Sequence, residues 1–201
     1  VIVFDFPGDR DEVESKEVLN YIKRCVALPG DKLQIINKTL YVNGAVFTNP
    51  PDSRFAKSLT PSSISNPRIF PKGSGWNEDN YGPITVPKKG DLIEINSINF
   101  EAWKYFVMKE GNKIELRGND VYVNDAPLPN GQYEVKRDYL FMMGDNRNNS
   151  LDSRFWGFMP VENIVGEALM IYWSWDPSIS FLDFFKLIKS TRWDRIGMFI
   201  H

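Results

Sequence analysis

The 201 residues carry 24 basic and 26 acidic side chains, a net charge of −2, with 42% hydrophobic and 14% aromatic residues. Such a chain is globular and long enough for one substantial core, or for a core with a large inserted lobe. It lacks the clustered positive excess that nucleic-acid phosphates require, so no nucleic-acid partner is expected.

A lone Cys25 excludes an internal disulfide, and with a single histidine, His201 at the very end, a Cys/His zinc site is excluded too. No cofactor is expected. Acid-base chemistry near neutral pH must then come from Lys, Asp, Glu or Tyr. No run of about 18 consecutive apolar residues, the length of a spanning helix, is present.

Val1-Ile2-Val3-Phe4 opens directly as a strand, with no initiator Met, an opening that predicts a chain cut short at its N-terminus. Phe6-Pro7-Gly8-Asp9 is a turn, and Asp9 to Lys16 a charged loop. Leu19 to Leu28 reads as a strand too apolar for an exposed edge, closed by Pro29-Gly30-Asp31. Alternation places Tyr21, Lys23 and Cys25 on one face and Ile22, Arg24 and Val26 on the other.

Two downstream segments resemble each other at a constant offset of 81 residues. Lys32-Leu33-Gln34-Ile35 with Leu40-Tyr41-Val42-Asn43 matches Lys113-Ile114-Glu115-Leu116 with Val121-Tyr122-Val123-Asn124. Each copy has the spacing of a hairpin, so a duplicated hairpin is expected. Between them, Thr48 to Gly90 holds 7 of the 13 prolines and is expected to be largely irregular. Val86 to Ile95 returns to strand, and Phe100 to Lys109 predicts a short helix with Phe100, Trp103, Phe106 and Val107 at helical spacing.

Tyr139 to Met143 is an apolar run, followed by the densely polar stretch Gly144 to Gly157. There Asp145/Arg147 and Asp152/Arg154 offer two opposite-charge pairs. Ile164 to Trp175 is strand-like, and Phe181 to Lys189 predicts a terminal helix with Ser180 as its cap. That helix either packs on the sheet or, with residues up to 200, lies in a membrane interface.

A lysine in an apolar strand is costly unless partnered. Lys23 either pairs with a carboxylate or reaches solvent, or else burial lowers its proton affinity enough for a neutral amine near pH 7. In the latter case it serves as general base to a serine in place of His.

Asn20 to Asp31, together with Gly144-Asp145-Asn146-Arg147 through Ser150, Asp152, Ser153, Arg154, Trp156, Gly157 and Pro160, resembles the bacterial type I signal peptidases. The opening Val1 to Phe4 is similar to a strand of that family. The resemblance implies an all-β fold: a mostly antiparallel catalytic β core (1–47 and 131–201) and a smaller variable lobe (48–130), with the short C-terminal helix expected above. It implies a serine endopeptidase of the Ser/Lys type that removes signal peptides from exported preproteins after small residues of Ala-x-Ala type.

On the matching positions Lys23 is the general base, and Ser150 supports it by hydrogen bonding. Asp145, Asn146, Arg147, Asp152 and Arg154 fix the site's geometry, and Val3, Tyr21 and Ile22 line the substrate pockets. The implied partners are signal peptides and a membrane. The implied location is the bacterial cytoplasmic membrane, with the catalytic domain on its outer, periplasmic face.

The chain departs from the family pattern in three ways. The family's nucleophile, a serine in a Ser-Met-x-Pro context, and its membrane anchor are both expected upstream of Val1, so the chain alone is expected to be inactive. Ser58-Leu59-Thr60-Pro61 resembles that motif only superficially. Asn148 stands where the family usually has Asp, leaving Asp145 and Asp152 to balance the arginines. Two other readings fit the same residues: a self-cleaving repressor-type Ser/Lys protease, and a non-catalytic peptide-binding homologue.

Overall fold

In the computed structural model of the chain, residues 1–15, 17–51, 53–55, 57–171 and 190–200 are described. The first half contains strands β1 (Ile2–Asp5), β2 (Asn20–Ala27), β3 (Lys32–Ile36), β4 (Thr39–Val42), β5 (Ala45–Val46), β6 (Tyr81–Thr85) and β7 (Leu92–Glu94). Helix α1 (Phe100–Lys109) follows, then β8 (Ile114–Arg117), β9 (Asp120–Val123), β10 (Ala126–Pro127), β11 (Gln132–Glu134) and β12 (Tyr139–Met143). The short helix α2 (Ser153–Trp156), β13 (Met159–Pro160) and β14 (Ile164–Glu167) complete the list among the described residues. The fold is all-β in class, with antiparallel sheets and few helices.

The main sheet runs in the order β13-β12-β2-β1-β14. All five residues of β12 are buried, which explains its unbroken apolar run: both of its faces are covered. One face, through Val26, Ala27, Phe141 and Met143, joins a large core with Leu33, Ile35, Tyr81, Phe106 and Val107. The other carries a smaller core of Phe4, Phe6, Leu140, Met142, Trp156 and Met159. Each fully buried large apolar side chain contributes about 1.5–3 kcal/mol, so the two cores together fix β12 and its neighbour β2 tightly.

The repeat appears as two hairpins. In one, Leu33 pairs with Val42 and Ile35 with Leu40; in the other, Ile114 pairs with Val123 and Leu116 with Val121. Their closing turns use the same side-chain bond, Lys32 N to Asn43 Oδ1 at 2.9 Å and Lys113 N to Asn124 Oδ1 at 2.9 Å. Only the first hairpin gains a further partner, β6, which pairs with β3. This close pairing needs Gly82, where a Cβ would come within 2.8 Å of Leu33 O.

Helix α1 covers the residues its periodicity predicts, with Phe100, Phe106 and Val107 buried. Strand returns earlier than expected, at Tyr81, because Tyr81 and Ile84 fill the large core. Residues 48–80 hold no named strand among the described residues, yet Ile69 and Phe70 lie in the same core as Tyr139 and Phe141. Beyond β14 the chain meets its own end, with Met170 bridging Phe199 and Ile171 N donating to Met198 O at 2.9 Å. The expected helix from Phe181 to Lys189 lies outside the described residues.

Candidate active site

Lys23 sits near the middle of β2 with Ile2 of β1 directly opposite. Its face of the sheet is that of the smaller core, shared with Tyr21 and Cys25, whose cross-strand partners are Phe4 and Met142. The amine lies 5.4 Å from the centre of the Tyr21 ring. Among the described residues it makes no ion pair or hydrogen bond. Burial lowers its proton affinity below the ordinary lysine range, and the negative charge of Asp152 only partly opposes this. The amine is therefore brought toward the neutral form that can accept a proton.

On the other side of Lys23 stands Gly144, the residue after β12. A Cβ there would lie 2.1 Å from Ser150 Oγ and 3.6 Å from Lys23 Cδ. Only glycine lets Ser150 and the lysine stem converge on this backbone. Ser150 Oγ is buried and has no hydrogen-bond partner among the described residues. The direct Ser150 to Lys23 hydrogen bond expected from the sequence is thus not made: the hydroxyl rests against Gly144 and stops short of the amine.

Asp152 and Arg154 form the pair their spacing predicts. Both are buried, at 0% and 2% exposure, and the guanidinium grips the carboxylate with Nε to Oδ1 at 2.9 Å and Nη2 to Oδ2 at 2.8 Å. Asp152 also caps α2 through Arg154 N and accepts Gly144 N at 3.2 Å, and the remaining guanidinium donors bond Arg147 O and Glu78 O. Ser153 Oγ accepts Met142 N at 2.9 Å, so α2 is fastened to β12 as well. A buried pair this well satisfied functions as a rigid wall.

Asp145 does not pair with Arg147. Its carboxylate takes Arg24 in a two-point grip, Nε to Oδ1 at 3.0 Å and Nη2 to Oδ2 at 3.1 Å. Arg24 is a site residue that the polar stretch alone could not reveal. The signal was present in strand alternation, which turns Arg24 to the face opposite Lys23. Arg147 is left buried, with Nη1 on Met143 Sδ at 3.3 Å and with Nε and Nη2 unpartnered. Burial and the charge of Arg154 lower its proton affinity. Asp145 and Asp152 are thus committed elsewhere, and the expected balance of charge reaches only two of the three arginines.

Asn146 is exposed and contributes its backbone, as a parallel bridge with Arg54. Asn148 Oδ1 accepts Lys57 N at 3.2 Å. Of the three expected pocket residues, Tyr21 shares the face of Lys23, whereas Val3 and Ile22 pair with each other on the reverse face, where Ile22 is 57% exposed. Among the described residues no three His, Cys, Asp or Glu side chains converge to hold a metal, and no helix is long and apolar enough to cross a membrane.

Residues 1–173 match the family model described as signal peptidase, peptidase S26. A signal peptidase I of Buchnera aphidicola subsp. Acyrthosiphon pisum is 31% identical over 181 residues, covering 88% of this chain and 54% of the relative. A signal peptidase I of Pseudomonas fluorescens is 30% identical over 202 residues, covering 94% and 53%. The chain spans about half the length of the curated relatives it matches. With the Lys23 strand and the Gly144 to Gly157 wall both inside the matched residues, the chain belongs to the signal peptidase family, peptidase S26.

Proposed function

We propose that this chain is the catalytic part of a serine endopeptidase that removes signal peptides from exported preproteins after small residues. The observation that carries the reading is Lys23: an amine of lowered proton affinity, unpaired among the described residues, between an aromatic ring and a buried polar wall. Such an amine takes the proton of a serine hydroxyl as that oxygen attacks the scissile carbonyl, then returns it to the leaving amine.

The reading calls for a serine on a segment that leads into β1. The register supports that position, since Ile2 faces Lys23 and residues preceding Val1 would enter the sheet beside the amine. Ser150 and the Asp152–Arg154 pair hold the lysine stem and the Gly144 backbone. Tyr21, Val3 and Ile22 remain the proposed contacts for the small side chains of the substrate.

The proposed setting is the outer, periplasmic face of a bacterial cytoplasmic membrane, with an anchor ahead of β1. Support for a membrane-facing end comes from exposed apolar residues that gather where the chain folds back on itself: Leu169, Met170, Trp193, Met198 and Phe199.

The test compares cleavage of a signal-peptide substrate by the 201 residues and by a chain extended upstream to include the expected serine. Activity only in the extended form, lost on Lys23→Met, is the expected result. Activity in the short form that disappears with Ser58→Ala would overturn the assignment of the nucleophile.

A further inference from the structure

The first hairpin ends in the turn Asn37-Lys38, both residues with positive φ (47° and 70°). The Lys38 side chain, 16% exposed, reaches across to Phe55 and Lys57. The amine donates to Lys57 O, lies 3.8 Å from the buried carboxylate of Asp79 and faces the Phe55 ring at 6.0 Å. Arg54 and Lys57 in turn hold the outside of the loop whose flanking residues wall Lys23. Arg54 N donates to Asp145 O at 2.9 Å, Arg147 N donates to Arg54 O at 3.0 Å, and Lys57 N donates to Asn148 Oδ1 at 3.2 Å. The strap therefore grips both ends of the stretch from Asp145 to Asn148. Gly144 immediately precedes that stretch and Ser150 follows one residue beyond it; a Cβ on Gly144 would meet both Ser150 and the Lys23 stem.

From this geometry we propose that Lys38 is a positioning residue: it anchors a strap made of residues 53–55 and Lys57, and through the strap keeps the 144–150 loop closed over Lys23. The proposal rests on the reading of Lys23 as general base. An ammonium suits the task because one group with three donors can serve a carbonyl and a carboxylate together, and such charge-assisted bonds strengthen when partly buried. The second hairpin supplies an internal contrast. At the matching position it has Asn119, which is exposed and whose side chain makes no hydrogen bond among the described residues. The two copies share their turn chemistry, while the first alone is joined to the candidate site.

The test uses the 201-residue chain, so that it does not depend on activity. Amide exchange at Arg54 and Arg147, and the titration of the Lys23 amine followed by lysine-labelled NMR, are measured in Lys38→Met, Lys38→Arg, Asn119→Ala and Asn148→Ala. Lys38→Met is expected to speed exchange at both amides about tenfold or more and to move the Lys23 titration up by about 0.5 or more, as burial is relieved. Lys38→Arg should restore both in part, and Asn119→Ala should change neither.

A folded Lys38→Met with both amides and the Lys23 titration unchanged overturns the proposal. If Lys38→Met does not fold, Asn148→Ala, which cuts the far end of the strap, decides in the same way. In the extended protein the acid limb of kcat/KM should move with the Lys23 titration. An inactive extended wild type would sink the proposed function, while the exchange and titration results would still judge the strap.

Discussion

Two lysines of this fold are drawn into apolar surroundings, and they are used differently. Lys109, at the end of α1, has its proton affinity pushed down to about 8 by burial. Yet its amine is held by Gly8 O at 3.1 Å and Asp9 O at 3.0 Å, within the field of Asp9, Glu12 and Asp11. Lys23 is also lowered by burial, but among the described residues its amine makes no hydrogen bond or ion pair; it faces an aromatic ring and feels the charge of Asp152. Desolvation alone therefore does not make a base. A neutral amine is useful where its lone pair is uncommitted, and Lys109 spends its donors tying the 5–15 loop to the helix.

The sharpest way to break this contrast is to remove each amine from the extended, active protein. Lys23→Met should lower kcat/KM by about 10²–10⁴, the usual contribution of a positioned general base. Lys109→Met should leave catalysis within a few-fold. Equal losses of activity would mean that Lys23 has no special role.

Next in size is Asp152→Ala, which removes the one carboxylate that opposes the lowering at Lys23. It strands Arg154 in the core without its partner, and breaking a buried pair of this kind costs about 3–5 kcal/mol. Chemical denaturation should show the loss. A change under 1 kcal/mol, by the same measure of a buried unpaired charge, would show that the wall is not rigid.

The pH dependence separates the lysines by observable and not by sign, since both effects grow as pH rises. Catalysis by the extended protein should fall as pH drops through the lowered titration of Lys23, because protonation removes the base. For Lys109 the folded value of about 8 lies below the unfolded value of about 10.4. Between these the unfolded chain binds a proton that the folded chain has released, so stability should rise with pH across that window. Lys109→Met should flatten this rise relative to wild type in urea titrations at several pH values.

The smallest expected effect is on stability in Ser150→Ala. The hydroxyl is buried and unbonded, so its removal should change stability by about 0.5 kcal/mol or less. A clear drop in kcat of the extended protein without a drop in stability would assign Ser150 to the support of Lys23. An unchanged kcat would confine it to packing against Gly144.

Much of the fold was legible in the chain because its signals are local. The spacing of Phe100, Phe106 and Val107 marks α1, the unbroken apolar run marks β12 as buried, and the repeated Lys-to-Asn turn marks two hairpins. Lys23 stood out for the same reason, as one charge inside an apolar strand. The pair Asp152–Arg154 was also within reach, since its members lie two positions apart along the chain and a helix cap brings them together.

What the sequence could not settle were the choices made between distant segments. Asp145 has Arg147 two residues away, but pairs with Arg24 at a separation of 121 residues. The reason is that β12 runs beside β2 and delivers the carboxylate to the reverse face of the lysine strand. Ser150 was expected at the site, but only packing decides that it fills the space above Gly144 without bonding the amine. Lys38 looks like an ordinary turn lysine until the hairpin is seen against Phe55 and Lys57. Sequence alone determined which groups these 201 residues bring to the candidate site: one strand lysine and a polar wall. The tertiary structure decided which of them stay uncommitted, because a donor or acceptor is free only after every competing partner in the folded chain has taken its place.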